Sequence, residues 1–182
     1  MRAFVAVADY VNYEEEFIMP KIQVAIMMGS QSDLPVMEEA ANILKDFGVG
    51  YEIKVLSAHR TPKETSAYAE QLQSKGFQAV ICGAGVSAAL AGVVSAHTDI
   101  PVIGVPIDSS PLNGMDALLS TVQMPPGVPV AAMAIGKAGA KNAGLFALRI
   151  IALQDKSIAK KLARFKDAQR RKILDPKLTD QR

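Results

Sequence analysis

From Lys21 onward the chain alternates between two hydrophobic patterns. Ile22-Gln23-Val24-Ala25-Ile26-Met27-Met28 is an almost continuous apolar run, the pattern of a strand buried on both faces. Residues 33–47 carry Leu34, Met37, Ala41, Leu44 and Phe47 at helical spacing, and Gly48 follows as a stop. Residues 51–56 predict a second strand. Thr61-Pro62-Lys63-Glu64 predicts a helix start, since Thr can cap, Pro suits the first turn and Glu completes a capping box. That helix is expected to end near Lys75-Gly76. Strands are then predicted at 80–83, 101–106 and 128–135, and helices at 86–97, 114–120 and 140–153.

Strands alternating with helices imply a parallel sheet covered on both faces, and right-handed crossovers make it a three-layer α/β/α sandwich, flavodoxin-like and doubly wound. Ligands of such sheets bind beyond the carboxyl ends of the strands. The loops at 28–33, 57–61, 83–90 and 106–114 therefore gain a functional prior before any chemistry is considered.

Both ends depart from this rhythm. Residues 1–19 hold four of the ten aromatics and the acidic run Glu14-Glu15-Glu16. Either Met19 is the native start and the preceding residues an upstream extension, or the segment is a short arm lying on a neighbouring copy. Residues 20–154 are expected to form one α/β domain, and residues 155–182 a last helix and tail. Half of the chain's Lys and Arg lie from Lys156 to Arg182, but Ile158, Leu162, Phe165 and Ala168 form a helical stripe, so the charges read as its solvated face. Such a helix, trailing past the fifth strand, is expected to pack on a neighbouring subunit.

Composition narrows the class. The chain has 182 residues, 49% of them apolar and 21% charged, which suits one domain with a sizeable core. With no Trp, that core must be built from Ala, Val, Ile, Leu and Met. A net charge of +2 predicts neither a nucleic-acid nor a membrane partner. No apolar run reaches the roughly 18–20 residues of a membrane span. The single cysteine, Cys82, lies in an apolar run and reads as a buried thiol, which fits a cytoplasmic protein.

The first loop, Gly29-Ser30-Gln31-Ser32-Asp33, leaves a strand and enters a helix. Hydroxyls and free amides at a helix N-terminus suit a phosphate. Asp33 would repel a phosphate and suits a ribose diol instead. The other reading is that Ser32 or Asp33 only caps the helix. The loop is neither a Walker loop nor Gly-x-Gly-x-x-Gly, so ATP and NAD are not favoured. In the second loop, Ser57-Ala58-His59-Arg60-Thr61, Arg60 can clamp a phosphate. His59 stands beside this cation at a strand end and helix start, where an imidazole can take or give a proton. His97 lacks this context and is expected to end the third helix. The third loop, Gly83-Ala84-Gly85-Val86-Ser87-Ala88-Ala89-Leu90, permits close approach to a flat ring; tight helix–sheet packing explains its small residues equally well. The apolar tip of the segment from Pro106 to Pro129 has the makings of a lid.

Met28-Gly29-Ser30-x-Ser32-Asp33, Ser57-Ala58-His59-Arg60-Thr61-Pro62, Val122-Gln123-Met124-Pro125-x-Gly127 and the run from Ala134 to Ala143 together closely resemble the PurE family of de novo purine biosynthesis, over about residues 21–172. The resemblance implies a homo-octamer with active sites at subunit contacts, no metal or organic cofactor, and an aminoimidazole ribonucleotide as ligand. By position, Ser30, Ser32 and Arg60 would hold the 5′-phosphate, with Gly29 beside them, and Asp33 the ribose. Ser57, Ala58, Gly85, Ser87, Ala88 and Leu90 would surround the base, and His59 would be the general acid/base. The implied reaction turns N5-carboxyaminoimidazole ribonucleotide (N5-CAIR) into 4-carboxyaminoimidazole ribonucleotide (CAIR). One departure stands out. Ala89 occupies the place of the mutases' second loop histidine, a histidine also missing from the class that carboxylates aminoimidazole ribonucleotide (AIR) directly with CO2. The other segments favour the mutase. A non-catalytic nucleotide-binding paralogue is the third reading.

Overall fold

The computed structural model describes residues 21–174, so the readings of residues 1–19 and of the last eight residues lie outside the described residues. Five parallel strands form one sheet in the order β2-β1-β3-β4-β5. They are β1 (Ile22–Met28), β2 (Gly50–Val55), β3 (Ala79–Gly85), β4 (Val102–Ile107) and β5 (Ala131–Ala132). The helices are α1 (Leu34–Phe47), α2 (Pro62–Gln71), α3 (Leu90–Ala96), α4 (Met115–Val122), α5 (Gly136–Ala152) and α6 (Lys156–Ile173). The expected flavodoxin-like order is present, with β1 and β3 adjacent at the point where the chain switches sides.

The alternation of side chains along β1 divides the core. Val24, Ile26 and Met28 pack with α1 and α5, while Ala25 and Met27 pack with α2 and α3. All five are fully buried. Small residues let α5 lie close on α1: Ala140, Ala143 and Ala147 are buried, and Gly144 leaves room for Ala40 and Ile43. Glu39 of α1 then reaches Lys141 at 3.4 Å and Lys137 at 3.8 Å on α5. The basic residues of this motif thus face α1.

Three expectations are corrected. The fifth strand is two residues long rather than 128–135. Pro129 brings no N–H to the ladder, Val128 bonds back to the Pro125 carbonyl, and Gly136 at φ +72° already opens α5, four residues earlier than expected. The third helix starts at Leu90 rather than Val86, because β3 stays paired with β4 as far as Gly85 and Val86 then takes φ +57°. Thr61 does not cap α2, since its hydroxyl bonds the Ser57 carbonyl at 3.1 Å instead. The first half of the α6 stripe is covered by this chain. Ile158 is buried, Phe165 meets Phe47 edge to face at 5.8 Å, and Lys161 donates to the Phe47 carbonyl at 2.6 Å. Ile173 and Leu174 at its far end remain exposed. Cys82 is buried as expected, and burial pushes its thiol pKa up. No helix among the described residues is long and apolar enough to cross a membrane.

Candidate active site

Four strand ends converge on a cleft of about 450 Å³. Its floor is the switch point between β1 and β3, where the Gly29 amide donates to the Gly83 carbonyl at 3.3 Å. The first loop supplies Gly29, Ser30, Ser32 and Asp33 to the lining; the second supplies Ser57, Ala58, His59 and Arg60; the third supplies Gly85, Ser87 and Leu90. All eleven of these were expected from the sequence. Ala88 was expected as well, but it does not line the cleft. Its amide bonds the Val86 carbonyl at 3.0 Å, and its side chain is buried in the packing below.

The first loop is ordered by a reciprocal cap. Ser30 Oγ accepts from the Ser32 amide at 3.4 Å and from the Ser32 hydroxyl at 2.9 Å, and Asp33 Oδ2 accepts from the Ser30 amide at 3.0 Å. A single 3-10 turn, Gln31–Asp33, leads into α1. Capping and ligand binding are therefore compatible here, because the hydroxyls that cap also face the cleft. Asp33 is nearly buried, and desolvation raises its pKa. The Ser30 amide, the Arg60 cation and the Gly29 amide pull the other way.

The second loop is a tight turn. The Thr61 amide bonds the Ser57 carbonyl at 2.8 Å, and the Ser57 amide bonds Thr61 Oγ1 at 2.9 Å. The Arg60 amide and Nε both reach Ser57 Oγ, at 3.2 and 3.4 Å. Arg60 Nη2 crosses to the Gly29 carbonyl at 2.6 Å. The guanidinium is thus tied to the backbone of the first loop. His59 lines the cleft beside it, while His97 closes α3 and pairs with Glu70 at 3.2 Å.

Residues 23–172 match the family model described as AIR carboxylase. The chain belongs to that family. It is 54% identical over 153 residues to the N5-carboxyaminoimidazole ribonucleotide mutase of Pyrococcus abyssi, covering 84% of this chain and 86% of the relative. It is 50% identical over 152 residues to the enzyme of the same name from Bacillus subtilis, covering 84% and 94%. The crystal structure of Treponema denticola PurE superposes with a TM-score of 0.79 at 32% identity, covering 88% of this chain and 99% of that one.

Four cleft residues of this AIR carboxylase family member were not singled out from sequence as ligand contacts: Ala84, Val86, Ala89 and Ser109. The strand-end rule had flagged their loops, but neither periodicity nor composition tells which side chain of a loop turns inward. Ala89 heads α3 with an ordinary right-handed backbone and faces the cleft. The cleft is therefore two-sided. One side is polar and cationic, from Ser30, Ser32, Asp33 and Arg60. The other is small and largely apolar, from Ala84, Val86, Ala89 and Leu90. Among the described residues, no group of three His, Cys, Asp or Glu side chains is arranged to hold a metal ion.

Proposed function

We propose that this chain converts N5-CAIR to CAIR in de novo purine biosynthesis, acting as an N5-carboxyaminoimidazole ribonucleotide mutase. The observation that carries the reading is the cleft itself. A hydroxyl and guanidinium grip on one side, a lone histidine at the strand end and a small apolar wall opposite suit an anionic ribonucleotide with a flat base. Ser30, Ser32 and Arg60 hold the 5′-phosphate, with Gly29 allowing close approach. Asp33 accepts from the ribose hydroxyls, and Ser57, Ala58, Gly85, Ser87 and Leu90 flank the base.

His59 carries the proton. In its protonated form it delivers a proton to N5 as the bond from N5 to the carboxyl carbon breaks, leaving AIR and CO2 in the cleft. C4 of the ring then bonds to the CO2 carbon. Neutral His59 removes the C4 proton, which gives CAIR and returns His59 to its starting state. Protein groups alone balance this cycle. Closure matters, because CO2 that escapes is lost to water.

The working form is a homo-oligomer, an octamer by family resemblance. The exposed apolar row of Leu112, Met115, Leu119 and Val122, on α4 and the loop that enters the cleft, supports a subunit contact beside the site. A reducing cytoplasm suits the lone buried thiol of Cys82.

Ala89 favours one second reading, direct carboxylation of AIR by CO2. Two assays separate the readings: N5-CAIR alone, and AIR plus bicarbonate without ATP. The mutase reading expects efficient CAIR formation from N5-CAIR. Efficient use of AIR at ordinary bicarbonate makes the chain a carboxylase. Turnover of neither makes it a nucleotide-binding paralogue.

A further inference from the structure

The loop after β4 sends one hydroxyl into the cleft, that of Ser109. Its place is set by Gly85. β3 and β4 stay paired to their last residues, with Gly85 opposite Ile107. The missing β-carbon at Gly85 leaves the space that Ser109 occupies: a methyl there would strike Ser109 Oγ and would sit 3.1 Å from both the Ser109 β-carbon and the Ile107 carbonyl. The next residue fixes the loop from behind. Ser110 Oγ donates to Asp116 Oδ1 at 2.9 Å and accepts from the Leu112 amide at 3.1 Å. Ser109 Oγ, by contrast, makes no hydrogen bond among the described residues, although it is wedged in place and faces the cleft.

The hydroxyls of the first two loops are arranged differently. Ser30 and Ser32 bond each other, and Ser57 accepts from Arg60, all on the gripping side. Ser109 instead rests against Gly85, in the third loop, whose remaining wall is Ala84, Val86, Ser87, Ala89 and Leu90. A carboxyl group moving from the exocyclic amine nitrogen N5 to the ring carbon C4 passes through neutral CO2, which gives the cationic side little to hold. It needs a small apolar space with a hydrogen-bond donor at its edge.

We infer that Ser109 is a substrate-positioning residue whose hydroxyl donates to a carboxyl oxygen throughout the transfer, keeping the detached CO2 over C4. This rests on the mutase reading. Ser109 moves no proton of its own. The bond from N5 to the carboxyl carbon breaks with its electron pair staying on N5, which takes the proton from His59. The bond from C4 to that carbon forms, and C4 returns a proton to His59.

The test measures how consumed N5-CAIR divides between CAIR and AIR, after subtracting enzyme-free decarboxylation, in wild type, Ser109→Ala and Ser109→Thr. Ser109 is exposed, so the variants are expected to fold, which circular dichroism checks. Ser109→Ala is expected to lower the CAIR-to-AIR ratio about fivefold, the order of one lost hydrogen bond, with KM little changed. Ser109→Thr, which keeps the hydroxyl, is expected to recover most of the ratio. An unchanged ratio in Ser109→Ala, or a raised KM with the ratio intact, overturns the inference while the mutase reading stands. A wild type that makes no CAIR from N5-CAIR overturns that reading, and the inference with it.

Discussion

Arg60 Nη2 donates a 2.6 Å hydrogen bond to the carbonyl of Gly29, tying the loop after β2 to the loop after β1. The two loops are 31 residues apart in sequence, and their strands are neighbours in the sheet. The bond holds the guanidinium against the first loop before any ligand arrives, so little ordering remains for binding to impose. Arg60→Ala is expected to raise KM for the ribonucleotide about tenfold, the lower range for a charged hydrogen bond because the side chain is exposed, with a smaller effect on kcat. Steady-state kinetics check this, and unchanged affinity contradicts the clamp.

Asp33 sets function against stability. Burial raises its pKa above the ordinary 3.8, against the pull of the Ser30 amide, the Arg60 cation and the Gly29 amide. The folded chain therefore binds this proton more tightly than the unfolded chain does. The stabilising contribution is fully present below the unfolded value and is lost as pH rises through the folded one, so ionised Asp33 weakens the fold at neutral pH. Asp33→Asn is expected to match or exceed the wild-type denaturant midpoint at pH 7, with the difference shrinking as pH falls toward the carboxylate range. Its ribonucleotide binding is expected to weaken. A clear loss of stability at pH 7 contradicts this account.

Much of this was legible in the sequence, for identifiable reasons. β1, α1 and the loop between them follow from hydrophobic period, a stop glycine and cap residues, all local signals. Eleven of twelve expected site residues line one cleft because strand ends in a parallel sheet must converge. Ala88 was the exception, since a turn beginning at a left-handed Val86 decides which small residue faces inward, and nothing in the residue types encodes that choice. β5 was overread because its apolar run includes Pro129, which cannot join the ladder, and ends in the turn to α5. Ser109 escaped because its significance lies in contact with Gly85, 24 positions away and visible only once β3 and β4 are paired.

Ala89, where the resemblance leads one to expect a histidine in a mutase, faces the cleft. Its backbone, at φ −71° and ψ −16°, accepts any L side chain. Ala89→His is thus expected to fold normally and to raise kcat/KM for N5-CAIR relative to that for AIR plus bicarbonate. The two assays run in parallel on wild type and variant check this. An unchanged ratio makes the departure neutral for donor choice.

Grip and chemistry fall to different residues, and the chemistry falls to His59. The most direct measurement compares N5-CAIR turnover with CAIR binding in His59→Asn, which keeps hydrogen-bonding capacity but cannot shuttle the proton. Turnover is expected to fall by at least about a hundredfold, the range for losing a positioned acid/base, while CAIR affinity by calorimetry stays within a few-fold of wild type. Turnover near the wild-type rate would contradict the account.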